Sequence, residues 1–579
     1  MMISKTLKQM KINRHYQAEF YGRQLQKQEE DYQQYMKTDA FALYQSNRLF
    51  AGVFVGVDKT RGNVLVRFKN SKTPRQKMLY TAFTVRRPPS RWRGMKYGFL
   101  QAEAESGLKS DARSVYFAPY REDPEWIVVG FNRVDLQLVS MLEKDAIVVF
   151  AEHEPPWKYL DALQHYATKL PGPDPVLDME VGGTPDYHPD PLQHDDHPID
   201  TLRGALDADG EVLLQGPPGT GKTYLMAELC AQYLLEGKSV CVTALTNRAL
   251  MELAGKTKFT QPFLDRKAIH KTSLSADEQK KLPGLQRLDE IAPMPGKLVL
   301  STYYMLSTAP VELLTPNEGF DLVIIEEASQ AFLGTLGLFR RLGKQVVVVG
   351  DPQQLPPIWD EKYASNLGKH IRWVAEGLQA YANFFDVRAF QLTDTFRLPP
   401  RAAEATGGFY QYPLRSVAEQ KKPFGLELPA EVTQHLHPEG GVSILPMPMT
   451  DAGRLGHKVL PWLKRFLRDF ETRNPDKHIA ILSPLRNINQ QLQGALYPSC
   501  KRLQKVEIET IDRIQGMTTD FTILLLPAEG SNFALKLNRF NVATSRSRSH
   551  TLILMDEALN RHIPDCHPKV KQFLTLIEA

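Results

Sequence analysis

The sequence predicts an α/β protein made of two lobes, each built on a parallel sheet, with a helical stalk and a small β-barrel before them. Three observations support this prediction. A glycine-rich loop at residues 216–223 stands between an apolar run and a helix-like run. Continuous apolar runs recur before and after residue 386, which suits sheets covered on both faces. Residues 1–150 differ, because a polar helical stretch is followed there by β-rich runs.

The composition is that of an ordinary folded globular protein, with 42% hydrophobic and 24% charged residues. The 579 residues are enough for roughly three or four domains. The net charge of +5 permits a polyanionic partner without requiring one. The four cysteines show no CxxC pair, which argues against a zinc module and suits a reducing, cytoplasmic location, or a nuclear one in a eukaryote. No apolar run approaches membrane-spanning length, so we expect no membrane association, and we expect a monomer.

Residues 1–47 are predicted to form the helical stalk. They are polar and rich in Gln, Lys and Glu, and Tyr16, Phe20 and Gln24 recur at helical spacing. Such a polar helix has one narrow face with which to brace another domain. The alternative is a scaffold, in which this helix recruits a partner protein.

Residues 48–150 are predicted to form the small β-barrel. Runs rich in Val, Phe and Tyr are separated there by turn signals. Between the runs, Arg91, Trp92 and Arg93 interleave positive charge with an aromatic ring. That composition suits phosphate contact plus base stacking on a nucleic acid, and it suits a solvated basic loop equally well.

Residues 151–197 are predicted to form an irregular linker, because proline and glycine recur there. His188, His194 and His197 could imitate a metal site. No ordered element is expected to set their geometry, so a solvated acidic linker is the interpretation we adopt.

The two lobes are predicted from strand–loop–helix patterns that repeat after the linker. Lobe 1 covers residues 198–386, with a polar helical insertion at 252–297, and lobe 2 covers residues 387–579. The sequence does not give the order of the strands. The buried-strand candidates are residues 240–243, 298–300, 322–325 and 346–349 in lobe 1, and 389–392, 479–482, 523–526 and 552–554 in lobe 2.

The glycine-rich loop is the clearest functional signal. It follows an apolar run and opens a helix, which is the context that makes a phosphate-binding loop credible. Glycines let backbone N–H groups approach phosphate oxygens, and the helix N-terminus adds a positive dipole end. Lys222 would reach the β- and γ-phosphates, and the Thr223 hydroxyl would hold Mg²⁺. The nucleotide-binding loop is predicted to consist of Gly216, Pro217, Pro218, Gly219, Thr220, Gly221, Lys222 and Thr223.

Polar clusters follow two of the predicted strands of lobe 1. Glu326 and Glu327 come directly after the run 322–325, and Gln354 lies in the loop that follows the run 346–349. Because ligands bind beyond the carboxyl ends of strands in such sheets, these side chains should converge on the glycine loop. We assign Glu326 to the metal and Glu327 to the attacking water. Gln354 could sense the γ-phosphate.

Together with further segments, these residues resemble the motifs of superfamily 1 helicases, and specifically the superfamily 1B branch that contains the nonsense-mediated-decay (up-frameshift) family. The resemblance covers about residues 198–579 and follows the family's order. It implies two tandem RecA-like lobes, ATP and Mg²⁺ as cofactors, and single-stranded DNA or RNA as the partner. The motifs are residues 216–223, 243–249, 300–302, 326–330, 350–357, 395–398, 510–516 and 541–548.

The resemblance also implies roles for individual residues. Arg397 and Arg546 would reach from lobe 2 to the γ-phosphate, so that hydrolysis is coupled to closure of the cleft. Phe396 resembles the residue that stacks on the base, although a core phenylalanine is the competing interpretation. Gly516 falls in the motif near the ribose. The residues that fall where the family touches the nucleic-acid backbone are Asn247, Ser301, Thr302, Pro484 and Thr510, any of which could instead cap a helix.

Three departures from the family's pattern bear on activity. Glu326 stands where the family usually has Asp, so we expect altered metal handling without loss of the site. The glutamine that reads adenine has no clear counterpart upstream of the glycine loop, near His197 and Pro198. Thr518 replaces a glutamate and loosens the expected ribose contact.

The function predicted from these observations is an ATP-dependent translocase on single-stranded nucleic acid. The resemblance implies movement from 5′ to 3′, and we favour DNA slightly over RNA. The alternative is an ATP-gated clamp or ribonucleoprotein remodeller with little unwinding, which Glu326 and Thr518 keep open.

Overall fold

The computed structural model describes the chain from residue 10 to residue 578. Its description leaves out residues 59, 61, 76–77, 105–106, 121, 156, 182–186, 309–318, 369, 419–424, 452–453, 501, 503–504, 529–530 and 562. Parts of the predicted stalk (1–9) and linker (182–186) therefore lie outside the described residues.

The chain begins with a long helix that packs on lobe 1. The first elements are β1 (Met10–Lys11), α1 (Arg14–Lys37) and α2 (Ala40–Gln45). Asn13 caps α1, because its side chain accepts a hydrogen bond from the Tyr16 N–H. Phe20 and Tyr21 are fully buried against lobe 1, which gives this polar helix its narrow apolar face.

A closed antiparallel barrel follows. Within the described residues its strand order is β2-β3-β6-β5-β4-β7. Alternating apolar side chains fill its interior, where the rings of Phe131 and Phe150 stack with centroids 4.0 Å apart. Its elements are β2 (Leu49–Asp58), β3 (Asn63–Lys69), β4 (Leu79–Val85), α3 (Tyr97–Ala102), β5 (Ser110–Pro119), β6 (Trp126–Asn132), α4 (Leu136–Ser140) and β7 (Ile147–Glu152).

The predicted linker is wrong as an irregular segment, because it contains ordered elements. The elements are α5 (Lys158–Lys169), β8 (Glu180–Val181) and β9 (Asp190–Leu192). Tyr159, Leu163 and Tyr166 recur at helical spacing and bury one face of α5 in the core shared with α1 and lobe 1. That periodicity was masked in the sequence by the surrounding proline and glycine residues.

Lobe 1 is built on a sheet in which every described strand pair is parallel. Across the described part of the chain its order is β13-β12-β14-β11-β15-β16-β10-β17-β9. The further elements are α6 (Pro198–Asp209), β10 (Glu211–Gln215), α7 (Lys222–Leu235), β11 (Val240–Ala244), α8 (Asn247–Ala254), α9 (Thr257–Asp265), β12 (Ile269–Thr272), α10 (Ala276–Lys281), β13 (Gln286–Leu288), β14 (Leu298–Thr302), α11 (Tyr303–Leu306), β15 (Phe320–Ile325), α12 (Leu333–Arg340), β16 (Gly343–Gly350), α13 (Ile371–Ala375), α14 (Gly377–Phe384) and β17 (Arg388–Leu392).

Two predictions about lobe 1 are wrong, its boundary with lobe 2 and the helical character of its insertion. The predicted start of lobe 2 at residue 387 fails because β17 pairs in parallel with β10, so this strand belongs to the lobe 1 sheet. The insertion 252–297 is not purely helical, because β12 and β13 extend the same sheet at its edge. An apolar run identifies a buried strand, but only the packing decides which sheet takes it.

Lobe 2 carries a smaller parallel sheet, whose order over the described residues is β20-β26-β25-β23-β24. The α/β class with parallel sheets that the sequence predicts is confirmed. The elements are β18 (Asp394–Thr395), α15 (Pro400–Gly407), β19 (Arg415–Ser416), α16 (Ala430–Thr433), β20 (Gly441–Pro446), β21 (Thr450–Asp451), β22 (Arg454–Leu455), α17 (Val459–Arg473), β23 (Ile479–Ser483), α18 (Arg486–Leu496), β24 (Val506–Thr510), β25 (Thr519–Leu526), α19 (Leu537–Thr544), β26 (Ser547–Met555) and α20 (Pro568–Glu578).

The barrel contacts both lobes. Phe117 of the barrel stacks on Tyr497 of lobe 2, with ring centroids 5.6 Å apart. On the other side, the Asn132 side chain donates a hydrogen bond to Asp277 of lobe 1. We call the contact zone between the barrel and the two lobes the seam. Among the described residues, no helix has the length and apolar character needed to cross a membrane.

Candidate nucleotide site between the lobes

The glycine loop joins β10 to α7 at the carboxyl edge of the lobe 1 sheet. Gly219 and Gly221 have φ of 77° and 80°, in the left-handed region that favours glycine. A Cβ at Gly219 would lie 2.4 Å from the Arg397 Cβ, so the loop touches the start of lobe 2. The Lys222 ammonium donates to the Gly216 and Pro217 carbonyls, and burial lowers the pKa of Lys222 to about 8.

Two adjacent carboxylates follow β15 and face the loop. Glu326 is 5% exposed, and its Oε2 accepts a hydrogen bond from the Thr223 hydroxyl at 3.3 Å. Glu327 has φ of 57°, which turns its side chain away from Glu326 and onto Thr246. The Thr246 N–H and hydroxyl donate to the Glu327 Oε2 at 3.2 and 3.1 Å. The two carboxylates therefore point to different places.

Burial raises the pKa of Glu326 to about 8, and the neighbouring Glu327 adds to the shift. Burial also raises the pKa of Glu327 to about 7. The Glu326 Oε1 is buried with no hydrogen-bond partner among the described residues. A divalent cation would give the Glu326 Oε1 a partner and would stabilise the buried negative charge, because it binds carboxylate oxygens and favours their charged form.

The donors around Glu326 fit Mg²⁺. The Thr223 hydroxyl and the Glu326 carboxylate are hard oxygen ligands, and Mg²⁺ in such sites takes few protein ligands and completes its shell with phosphate oxygens and water. No group of three or more His, Cys, Asp or Glu side chains that could hold a metal occurs in the described part of the chain.

A buried polar network joins lobe 1 to lobe 2 beside the loop. Asp351 follows β16 and is 2% exposed; its Oδ2 accepts hydrogen bonds from Gln354 at 2.8 Å and from the Tyr410 hydroxyl at 2.7 Å. The Asn541 side chain of α19 donates to the Tyr410 hydroxyl at 2.8 Å and to the Gln353 carbonyl at 2.9 Å. Asp351 lies in the motif 350–357, but the sequence assigned it no role, although a polar residue directly after a buried strand was the signal that identified Glu326; Tyr410 was not predicted.

Two arginines of lobe 2 reach the cleft between the lobes beside the glycine loop. Arg546 is 2% exposed, and its Nε donates to the Val542 carbonyl at 2.8 Å. Arg397 donates to the Ser545 carbonyl at 3.3 Å. Burial lowers the pKa of Arg546 to about 9, helped by the nearby Arg397, and burial lowers the pKa of Arg397 to about 10. Lys222, Arg397 and Arg546 repel one another electrostatically, so a bound polyanion would stabilise all three.

A cavity of about 760 Å³ opens beside the loop. Phe396 is 49% exposed in its wall, so the core interpretation of this phenylalanine is wrong. The Phe396 N–H donates to the Gly219 carbonyl at 2.9 Å, and its ring meets the His194 ring edge to face at 5.4 Å. The cavity thus lies next to the phosphate-binding loop, where a base could stack. Gly516 does not line this cavity but lies beside Glu327, because a Cβ there would be 3.7 Å from the Glu327 Oε1.

Two family models described as AAA domain match residues 201–376 and 457–558. The DNA replication ATP-dependent helicase/nuclease DNA2 of Gallus gallus is 27% identical over 381 residues, 61% of this chain and 35% of that protein. The regulator of nonsense transcripts 1 homolog of Drosophila melanogaster is 24% identical over 398 residues, 59% of this chain and 32% of that protein. The chain is a relative of the superfamily 1 helicases. The resemblance inferred from its motifs is confirmed.

The chain spans about a third of the length of these two curated relatives. Among solved structures, the arterivirus nonstructural protein 10 helicase aligns over 87% of this chain and 76% of that chain, with 14% identity. Its TM-score of 0.35 is too low to support an argument.

The residues that the helicase resemblance assigned to nucleic acid lie at the carboxyl edges of the two sheets, but most are engaged within the protein. The Thr302 hydroxyl caps α11 and accepts from the Met305 N–H at 3.4 Å. The Asn247 side chain accepts from the Lys271 ammonium at 2.7 Å. Ser301, Pro484 and Thr510 are buried at or just after the ends of β14, β23 and β24.

The predicted stacking role of Trp92 is wrong. This side chain is fully buried, its indole N–H donates to the Arg87 carbonyl at 2.9 Å, and its ring packs edge to face on Tyr44. An aromatic ring in the core between barrel and stalk cannot stack on a base. Arg91 is exposed, whereas the Arg93 guanidinium lies over the Phe41 ring at 4.9 Å.

Cations instead cluster along the seam between the barrel and the lobes, where the sequence analysis did not find them. Burial lowers the pKa of Arg113 in the barrel, and the nearby Arg133 and Arg248 lower it further. On the lobe 2 side, burial lowers the pKa of Arg75, and Arg513 and Arg486 add to the effect. Each cluster also contains a glutamate, Glu278 near Arg113 and Glu509 near Arg75, so three arginines face one acid in each cluster, and this excess of positive charge favours a bound polyanion.

Proposed function

We propose that this protein is a nucleic-acid-dependent ATPase that translocates along single-stranded nucleic acid. The observation that carries the proposal is the convergence of Lys222, Arg397 and Arg546 on one loop. Cations from both lobes meet there beside the carboxylate of Glu326. Such an arrangement binds a triphosphate most tightly when the lobes are together.

Each side chain near the loop has a distinct role in this proposal. The backbone N–H groups of the glycine loop and Lys222 bind the β- and γ-phosphates. Thr223 and Glu326 would hold Mg²⁺, which when bound would neutralise phosphate charge. Glu327 positions the attacking water and accepts its proton, since a pKa of about 7 suits a general base at neutral pH.

Closure of the two lobes would couple this chemistry to movement. The Asn538 side chain of α19 donates to the Pro352 carbonyl at 3.2 Å, and the Gln515 side chain donates to the Ser329 hydroxyl at 3.3 Å. These contacts join the segments that follow β15 and β16 to lobe 2. Loss of the γ-phosphate would weaken the hold of Arg397 and Arg546 and let the lobes separate.

The arginines of the seam support nucleic acid as the partner, because arginine side chains can bind a phosphate backbone without reading its sequence. Movement from 5′ to 3′ and a preference for DNA are further parts of the proposal that rest on the family resemblance. The cytoplasmic location and the monomeric state stay predictions.

The test is ATP hydrolysis by the purified protein, alone, with single-stranded DNA and with single-stranded RNA. The control is Lys222→Ala, which removes the ammonium that binds the phosphates. We expect one polymer to stimulate hydrolysis strongly, and the control to abolish it. Hydrolysis that is indifferent to both polymers would contradict the translocase and favour the ATP-gated clamp.

A further inference from the structure

The outer face of helix α17 in lobe 2 carries a concentration of positive charge. Its inner face, which includes Trp462, Leu463 and Phe466, is buried in the lobe 2 core. Asp469 is the one exposed acid among the residues of this helix, all of which the structure describes. The exposed cations of the helix and its N-cap are Lys458, Lys464, Arg465, Arg468 and Arg473; we call this set the α17 basic face.

Helix stability explains only part of this face, because Asp469 lies one turn from Arg465 and Arg473 but not from Lys464. The cations of the stalk helix are paired, as Arg23 with Glu19 and Lys27 with Asp31. Within the described residues, the cations of the α17 basic face make no ion pair. Lys464 and Arg468 lie one helical turn apart, and like charges at that spacing destabilise a helix. A polyanion would remove the repulsion.

The α17 basic face lies beside helix α18, which packs against the barrel. Strand β20, which precedes α17, ends at the carboxyl edge of the parallel sheet, and strand β23, which follows α17, begins at the amino edge. Helix α17 therefore runs from the carboxyl edge to the amino edge. Helix α18 also begins at the carboxyl edge and packs against α17. Its first residue, Arg486, belongs to the arginine cluster around Arg75. The exposed cations of α17 therefore lie on the outside of lobe 2, beside the helix whose first residue reaches the seam.

The dimensions of the face suit a nucleic-acid strand. Its 15 residues at 1.5 Å each make α17 about 22 Å long, enough to face several successive phosphates of one strand. The aromatic residues Trp462, Phe466 and Phe470 of the helix are buried and unable to stack on bases. The recognition available is contact with phosphates.

We propose that the α17 basic face binds the sugar–phosphate backbone of the strand where it leaves the cleft. This inference rests on the proposed function, because the strand on the helix is the same polymer that occupies the seam. Binding there is independent of base sequence and depends on strand length.

The test is the affinity of the full chain for two single strands, one of about 8 nucleotides and one of about 40, measured by fluorescence anisotropy at several salt concentrations. The variant is Lys464→Gln/Arg468→Gln. For the long strand we expect weaker binding and a salt slope lower in magnitude by about 1.4, the value for two lost phosphate contacts. The short strand should bind as it does to the unaltered protein.

The matched control is Arg266→Gln/Lys267→Gln, which removes two exposed cations at the amino edge of the lobe 1 sheet, opposite the seam. It should leave both affinities unchanged. The inference would be overturned if the Lys464→Gln/Arg468→Gln variant bound the long strand as tightly as the unaltered protein does. That result counts only if the short strand binds to both proteins. Absence of binding of either strand to the unaltered protein would instead contradict the proposed function.

Discussion

At the scale of the residue, the adjacent carboxylates Glu326 and Glu327 lie in different surroundings, and the different roles proposed for them rest on that difference. Glu326 lies against Thr223 with one oxygen that has no protein partner among the described residues, so it can take a metal. The left-handed backbone conformation of Glu327 turns its side chain toward Thr246, which donates hydrogen bonds to it. Two donors on one oxygen fix this side chain where a water could be positioned.

Glu327→Gln should abolish most hydrolysis and keep nucleotide binding, because the amide can hydrogen-bond but cannot accept a proton. We expect a loss in kcat of about 10²–10⁴, measured beside the Kd for a fluorescent ATP analogue. Glu252→Gln is the matched control, since Glu252 is an exposed acid nearby that pairs with Lys256. Equal losses in both variants would contradict the assignment.

Tyr410→Phe should weaken the coupling between lobes, because it removes the hydroxyl that joins Asp351 to Asn541. We expect kcat in the presence of nucleic acid to fall by about 5- to 30-fold, the equivalent of one lost buried hydrogen bond, with KM for ATP little changed. Tyr412→Phe is the control, since Tyr412 is only partly buried. A rise in KM with unchanged kcat would show that Tyr410 acts in binding alone.

At the scale of the element, β26 brings a buried histidine into the lobe 2 sheet. His550 is fully buried, with its Nε2 2.9 Å from the Ser443 hydroxyl and its ring against Phe521. Burial lowers the pKa of His550 to about 3. A neutral imidazole is therefore part of the folded strand at every physiological pH.

His550 should make lobe 2 less stable in acid. An unfolded histidine has a pKa of about 6.5, so below that pH the unfolded chain binds a proton that the folded chain excludes. The stabilisation is complete above pH 6.5 and declines as pH falls toward 3, by about 1.4 kcal/mol per pH unit. Urea midpoints at pH 7 and pH 5 should differ less in His550→Gln than in the unaltered protein. The control is His567→Gln, at an exposed histidine, which should leave the difference between the two urea midpoints unchanged.

At the scale of the whole molecule, α1 ties the barrel to lobe 1. Phe20 is fully buried and contacts Phe332 and Trp359 of lobe 1 edge to face. Farther along the helix, the Tyr35 hydroxyl donates to the Arg48 carbonyl at the start of the barrel. These contacts favour a brace over a scaffold for the N-terminal helix.

Phe20→Ala should destabilise the molecule by about 3–5 kcal/mol, because it leaves a cavity between α1 and lobe 1. Thermal unfolding and nucleic-acid-stimulated hydrolysis are the measurements, and a brace predicts that both fall. Leu136→Ala removes an apolar side chain that is 82% exposed and should change neither. A normal unfolding midpoint for Phe20→Ala would contradict the brace.

Local patterns predicted much of the nucleotide site. The glycine loop and Glu326 stand directly after apolar runs, and neighbouring parallel strands bring their carboxyl ends together. Asp351 follows the same rule, and its motif was found, but no role was assigned to it. Tyr410 could not have been found this way, because it follows no strand and reaches Asp351 only through the fold.

The sequence by itself determined the α/β class and the resemblance to superfamily 1 helicases, and it predicted the glycine loop as the phosphate site, since each depends on residue types at short, fixed spacing. Tertiary structure decided which sheet takes β17, the burial of Trp92 and the gathering of arginines along the seam. These features depend on contacts between residues far apart in the chain. Hydrophobic periodicity shows that a segment is buried, but the partner that buries it is set by how the elements pack.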